Sequence, residues 1–157
     1  MYRTTILSPV GPLLLASDGT AITGLWLEGQ KYFAAGLDTD AEENPALPVF
    51  QKASLWLEAY FAQRGLPPLP PLAPAGSPFR LSVWECLQAI PYGQTRTYGE
   101  LSAELCSSPR AVGGAAGHNP ISILIPCHRV LGTGGSLTGY AGGLNKKKLL
   151  LKLEGVL

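Results

Sequence analysis

The chain has 157 residues, of which 46% are hydrophobic and 15% charged, with a formal net charge of +1. That length carries one good core or two small domains, and that composition excludes a disordered chain. No apolar run reaches the length of a membrane span, because Lys146, Lys147, Lys148 and Lys152 interrupt the leucine-rich tail.

The first half reads as a small sheet with one helix. Residues 2–8 and 12–17 are short β-prone runs separated by the turn Pro9-Val10-Gly11-Pro12, and Asp18-Gly19-Thr20 leads into a third run, 21–27. Three antiparallel strands are the simplest assembly. Residues 38–46 are acidic and turn-like. From Pro48 to Arg64, apolar residues at Phe50, Ala53, Leu57, Tyr60 and Phe61 recur at helical spacing, with Gly65 as the expected stop. Six prolines between residues 65 and 78 predict a stiff, extended linker. The expected division is therefore an N-terminal α/β domain, 1–78, and a second domain, 79–157.

The second half reads as helices. Ser77-Pro78 is an N-cap followed by proline at the first helical position, and the stripe Val83, Trp84, Leu87 and Ile90 ends at Pro91-Tyr92-Gly93. Thr97-Tyr98-Gly99-Glu100 has capping-box spacing. Ser107-Ser108-Pro109 caps a further helix, 110–116, so two short helices joined by a tight turn form a helix-turn-helix candidate. The apolar run Ile121–Ile125 reads as a strand entering Pro126-Cys127-His128. Residues 132–143 are a glycine-rich loop, and a last helix covers about 145–154. The fold class expected is α+β.

Charge is uneven. Residues 1–78 hold four Lys/Arg and seven Asp/Glu, a net of −3, whereas residues 79–157 hold eight and four, a net of +4. A basic half is compatible with a polyanionic partner, and equally with ordinary scatter of surface charge. The three cysteines, Cys86, Cys106 and Cys127, fit reduced thiols better than a disulfide framework. With Met1–Thr5 too polar for a signal peptide, the expected location is cytoplasmic, or nuclear in a eukaryote. Residues 1–78 contain no Cys and no His, and neither Cys86 nor Cys106 makes metal-ligand spacing with His118 or Cys127. No metal is expected.

Cys127 is the residue that suggests chemistry. A thiol reacts as thiolate, so it needs a base or positive charge nearby, and His128 could be that base. A Cys–His pair alone is a weak signal, because buried inert cysteines are common. The surrounding residues are more specific. Ile125-Pro126-Cys127-His128-Arg129-Val130 resembles the active-site signature of the O6-alkylguanine-DNA alkyltransferases. So do Arg110-Ala111-Val112-Gly113-Gly114-Ala115, Asn119-Pro120 and Gly139-Tyr140-Ala141-Gly142-Gly143-Leu144. The resemblance covers residues 79–157, while the first half matches only in general plan.

That resemblance implies a ribonuclease-H-like first domain and irreversible transfer of an alkyl group from guanine O6 to Cys127, without a cofactor. It implies that His128 is the base, acting through a water, and that Glu154 orients it. Asn119 would be a hinge between the recognition helix and the active-site segment. Tyr98 would contact the flipped nucleotide and protonate the guanine leaving group. Arg110 would fill the gap in the base stack, and Ala111, Gly113, Gly114 and Ala115 would let the helix approach DNA closely. Pro126, Val130, Tyr140 and Ala141 would line the guanine pocket. The implied partner is double-stranded DNA bearing O6-alkylguanine, bound through its minor groove by a monomer with little sequence preference. Two rivals are a non-catalytic alkyltransferase-like DNA binder, which would lack the acceptor cysteine, and a cysteine hydrolase acting on a small molecule.

Overall fold

The computed structural model describes residues 1–157. Strands β1 (Tyr2–Ile6), β2 (Leu13–Ser17) and β3 (Ile22–Leu27) form the expected antiparallel meander. A two-residue strand, β4 (Glu42–Glu43), adds to it in parallel beside β1, giving the order β3-β2-β1-β4. The acidic segment read as a turn thus also closes one sheet edge. Helix α1 (Pro48–Phe61) buries Val49, Phe50, Ala53, Trp56, Leu57 and Tyr60. It stops earlier than Arg64, because Gln63 adopts a left-handed φ of 55°. The Gln63 and Arg64 amides then donate back to Tyr60 and Ala59, a Schellman closure made without the expected Gly65.

The proline-rich segment is not a free spacer. Leu72 bridges Ile22, with Ile22 N donating to Pro71 O and Ala73 N to Ile22 O, each at 2.8 Å. Further along the same strand, Leu25 bridges Ile121. The outer edge of β3 is therefore covered by two segments, one before and one inside the second half. This satisfies backbone groups that an open edge would leave unpaired.

Helix α2 (Pro78–Gln88) is capped by Ser77, as its sequence predicts. Strand β5 (Arg96–Thr97) precedes α3 (Tyr98–Glu104), whose capping box between Thr97 and Glu100 is formed. Helix α4 (Pro109–Gly117) starts on the Ser108 cap. Between α3 and α4 the chain turns at Cys106, left-handed with φ 51°, and Ser107 N donates to Ser102 O at 2.9 Å. Strand β6 (Val130–Leu131) pairs in parallel with β5, tying the helix-turn-helix to the segment after Cys127. Helix α5 (Leu144–Leu153) closes the chain. One apolar cluster runs from Leu13, Leu25 and Tyr60 through Trp84, Val112 and Cys127 to Leu150, so the core is continuous across residue 78.

Candidate active site

The run Ile121–Ile125 forms no strand; it is a tight turn. Asn119 spans it: its Oδ1 accepts from Ile121 N at 3.0 Å and its Nδ2 donates to Ile125 O at 2.8 Å. Inside the turn, Ile125 N donates to Ile121 O, and buried Ile123 holds a φ of 70°. A β-branched residue is strained there, so the surroundings must impose the shape. A sequence reading misses this, because the run has the β-branched, apolar composition of a buried strand. The turn delivers Cys127 as the first residue of a single 3-10 turn, Cys127–Arg129.

Cys127 is 5% exposed and lies on a pocket of about 530 Å³ that opens to the surface. Burial raises its pKa, against the opposing pull of the Asn119 amide and the Lys147 charge. Behind it, His128 is fully buried, and its Nε2 lies 2.5 Å from Glu154 Oε2. Burial alone would raise the Glu154 pKa, but hydrogen bonds from His128, Arg129 and Tyr60 hold it at about 2. An ionised carboxylate only accepts, so Nε2 carries the proton and Nδ1 presents a lone pair. Nδ1 is buried with no protein partner. Burial also lowers the His128 pKa, opposed by Glu154 and reinforced by Arg129 and Lys147. The result is a neutral imidazole with a free basic nitrogen, the state a general base needs.

Glu154 is more heavily bonded than a triad member requires. Arg129 Nε donates to its Oε1 at 2.8 Å, Gly93 N to Oε1 at 3.0 Å and Tyr60 Oη to Oε2 at 2.6 Å. Arg129 also donates to Ile90 O, at 2.8 Å. With His128, these partners come from three separate parts of the chain, and sequence spacing gave no sign of Tyr60, Gly93 or Arg129. Tyr60 looked like one more apolar-stripe residue of α1.

Lys147 belongs to a run that the sequence allows as a solvated helix face or as a source of positive potential near the thiol, and it is fully buried. Its Nζ donates to the carbonyls of Val130 at 2.5 Å, Thr138 at 2.8 Å and Gly139 at 3.0 Å, pinning the glycine-rich loop. Burial lowers its pKa to about 8, against the influence of Cys127. The signal was its helical register with buried Leu150 and Leu151, three and four residues on.

The remaining residues sort by position. Tyr98, Gly113, Gly114, Tyr140 and Ala141 line the pocket with Cys127. The Tyr98 pKa is pushed up to about 12, by burial and by Cys127. Gly142 is needed behind Tyr140, because a Cβ there would lie 2.8 Å from the Tyr140 ring and 3.1 Å from Leu27. Arg110 and Ala111 are exposed on the first turn of α4, outside the pocket. Three expected positions differ. Ala115 faces inward, 3% exposed, and its carbonyl accepts from Trp84 Nε1 at 2.8 Å, so it packs α4 on α2. Val130 and Pro126 are buried and do not line the pocket, and the Val130 carbonyl is taken by Lys147. Of the other cysteines, Cys86 is half-buried and Cys106 exposed.

A neutral histidine–carboxylate pair behind a cysteine, at an open pocket walled by the second helix of a helix-turn-helix, defines a protein that presents a sulfur nucleophile beside a DNA-binding motif. Comparison with known proteins narrows the class. Residues 78–156 match the family model for the 6-O-methylguanine DNA methyltransferase DNA-binding domain, and residues 1–68 that for its ribonuclease-like domain. The methylated-DNA–protein-cysteine methyltransferase of Haemophilus influenzae is 45% identical, over 98% of this chain and 86% of its own length. That of Methanosarcina acetivorans is 46% identical over 99% of both. The Mycobacterium tuberculosis OGT structure in complex with DNA superposes with a TM-score of 0.89 at 43% identity, covering 98% of this chain and 92% of that one. The chain belongs to the methylated-DNA–protein-cysteine methyltransferase family.

Proposed function

We propose that this chain repairs DNA by taking the alkyl group of an O6-alkylguanine onto Cys127 Sγ, once per molecule. The observation that carries this reading is the position of Cys127: on the pocket, in front of His128 and Glu154, with α4 forming one wall. An alkylated base inside a duplex cannot reach a buried thiol, so the nucleotide must leave the stack. Arg110 and Ala111, exposed at the start of α4, are the residues to enter the minor groove, and the planar guanidinium of Arg110 suits the gap the base leaves. Minor-groove binding would give little sequence preference, as damage recognition requires.

His128 Nδ1 takes the thiol proton through a bridging water, and Glu154 stabilises the imidazolium. The thiolate forms an S–C bond as the C–O6 bond breaks. The electron pair stays with guanine, which receives a proton from Tyr98, itself reprotonated from the histidine side or from solvent. Products are S-alkylcysteine and guanine. A thioether does not hydrolyse, so no second turnover follows and no cofactor is consumed. We infer that one monomer suffices and that a cytoplasmic location, or a nuclear one in a eukaryote, fits a reduced thiol.

Intact-protein mass spectrometry after mixing with a duplex containing one O6-methylguanine tests this. A gain of one methyl group, mapped to Cys127, is expected. A label on Cys86 or Cys106, or catalytic turnover with the protein unmodified, would overturn it.

A further inference from the structure

Both segments that build the reaction site rest on a short stretch of the first half, residues 25–31, to which the reaction above gives no part. The turn that delivers Cys127 is paired to β3, with Leu25 N donating to Pro120 O at 2.8 Å and Ser122 N to Leu25 O at 2.9 Å. The glycine-rich loop that carries Tyr140 and Ala141 meets the same stretch slightly farther along. A Cβ on Gly142 would lie 3.1 Å from Leu27 Cδ2, and Lys31 N donates to Ala141 O at 3.1 Å. Lys146, at the start of α5, donates to Glu28 O at 3.2 Å.

Gln30 stands where these two sets of contacts meet. It is buried, and both ends of its amide are used. Its Oε1 accepts from Leu27 N at 2.8 Å and from Ser122 Oγ at 3.4 Å, and its Nε2 donates to Lys31 O at 3.1 Å. Ser122 is itself buried, inside the turn that Asn119 spans. One amide therefore links that turn, through Ser122, to the residue that holds Ala141, through Lys31. A side chain placed here for packing alone would be apolar, because a buried amide is costly unless its hydrogen bonds are made.

We propose that Gln30 is a positioning residue for alkyl transfer, holding the Cys127 sulfur and the Tyr140–Ala141 wall of the pocket at one spacing. The inference rests on Cys127 as the acceptor. Displacement needs sulfur, alkyl carbon and O6 on one line, and a misplacement of about 1 Å costs on the order of 10²-fold in rate. The sulfur is placed by the Ile121–Ile125 turn, and the guanine by the pocket wall. These are different stretches of the second half, and residues 25–31 of the first half are seated against both. Gln30 touches neither the thiol nor the His128–Glu154 pair, so it acts on alignment and leaves the proton chemistry alone. The bonds formed and broken stay those of the transfer described above.

Two rates test it. One is single-turnover transfer from saturating O6-methylguanine duplex; the other is modification of Cys127 by iodoacetamide, read by peptide mapping, which needs the thiol but no guanine alignment. Gln30→Met keeps the length of the side chain and loses its hydrogen bonds. It should lower the maximal transfer rate about 10- to 100-fold and leave duplex affinity, the iodoacetamide rate and the pH profile at parent values. Ser122→Ala removes only the side-chain bond to Gln30 and should slow transfer in the same sense. The double variant should be no slower than Gln30→Met, because two members of one link do not add. Unchanged transfer in both single variants overturns the proposal. So does a parallel fall in the iodoacetamide rate, which would make Gln30 a support of the fold or of the thiol. If Gln30→Met does not fold, Ser122→Ala decides by the same two rates. A parent chain that takes no methyl onto Cys127 overturns the acceptor reading instead, which separates the two failures.

Discussion

Tyr60, on helix α1 of the first half, donates its hydroxyl proton at 2.6 Å to Glu154 Oε2, 94 residues further along the chain, the same oxygen that accepts from His128. The phenol is fully buried, and burial and the Glu154 charge hold its pKa far above the usual range, so the proton stays on the tyrosine. Arg129 Nη2 also donates to this oxygen, at 3.3 Å, and donors on one oxygen share its charge. Tyr60 thereby weakens the pull of Glu154 on the imidazole and helps keep His128 neutral.

Tyr60→Phe should therefore raise the His128 pKa. A hydrogen bond to a charged group contributes about 1.5 kcal/mol, which corresponds to about one pH unit. In the parent, the His128 pKa is lowered from 6.5, so the acid limb of the single-turnover rate should lie below that pH. In Tyr60→Phe it should move upward while the ring keeps its packing. A superimposable pH profile would show that Tyr60 only fills space.

Glu154 couples the site to acid stability. Its folded pKa of about 2 is below the ordinary 4.5. The stabilisation is complete above pH 4.5 and is lost as pH falls through the folded value, about 3 kcal/mol over that window. Glu154→Gln should flatten this part of the stability–pH curve in urea titrations. It should also weaken the fold by about 3–5 kcal/mol at neutral pH, because it strands the buried Arg129 guanidinium. His128→Ala avoids that loss and is the better kinetic probe. It should slow alkyl transfer by about 10²-fold or more.

Arg110→Ala should slow repair in duplex DNA far more than reaction with free O6-benzylguanine, since Arg110 is exposed and outside the pocket. Equal losses in the two assays would assign Arg110 to the fold or the pocket instead.

Cys106→Gly should stabilise the protein. Cys106 holds the left-handed turn between α3 and α4, where a side chain costs about 1 kcal/mol. A rise in Tm of roughly 2–4 °C is expected for a chain of this size, measured by differential scanning calorimetry. No rise would mean that the turn tolerates its Cβ.

Local chemistry explains which elements could be read in advance. Ser77, the Thr97–Glu100 box and Ser108 start helices by bonding their own first turns, so the information lies within four residues. The signature around Cys127 likewise named Cys127, His128, Asn119 and Tyr140 from adjacent residues. What escaped was non-local. The turn at Ile123 is imposed by Asn119 against the preference of its own residues, and the stop of α1 at Gln63 replaces a glycine. Tyr60 meets Glu154 only because β3 brings the first half against the turn at Ile121. The burial of Lys147 was hidden by its neighbours Lys146 and Lys148, which share its charge but not its side of the helix, although its charge near the thiol was open to a sequence reading.

The clasp between Leu72 and Ile22 has a consequence for handling the protein. A protease needs several residues of chain free to be drawn into its cleft, and the usual place to find them is a linker. Here the segment is stiffened by proline and stitched to β3 on both sides of Ile22. Limited digestion should therefore nick the turn-rich loop at 31–37 or the glycine-rich loop at 132–143 before it parts the halves, and both of those cuts fall on the walls of the pocket.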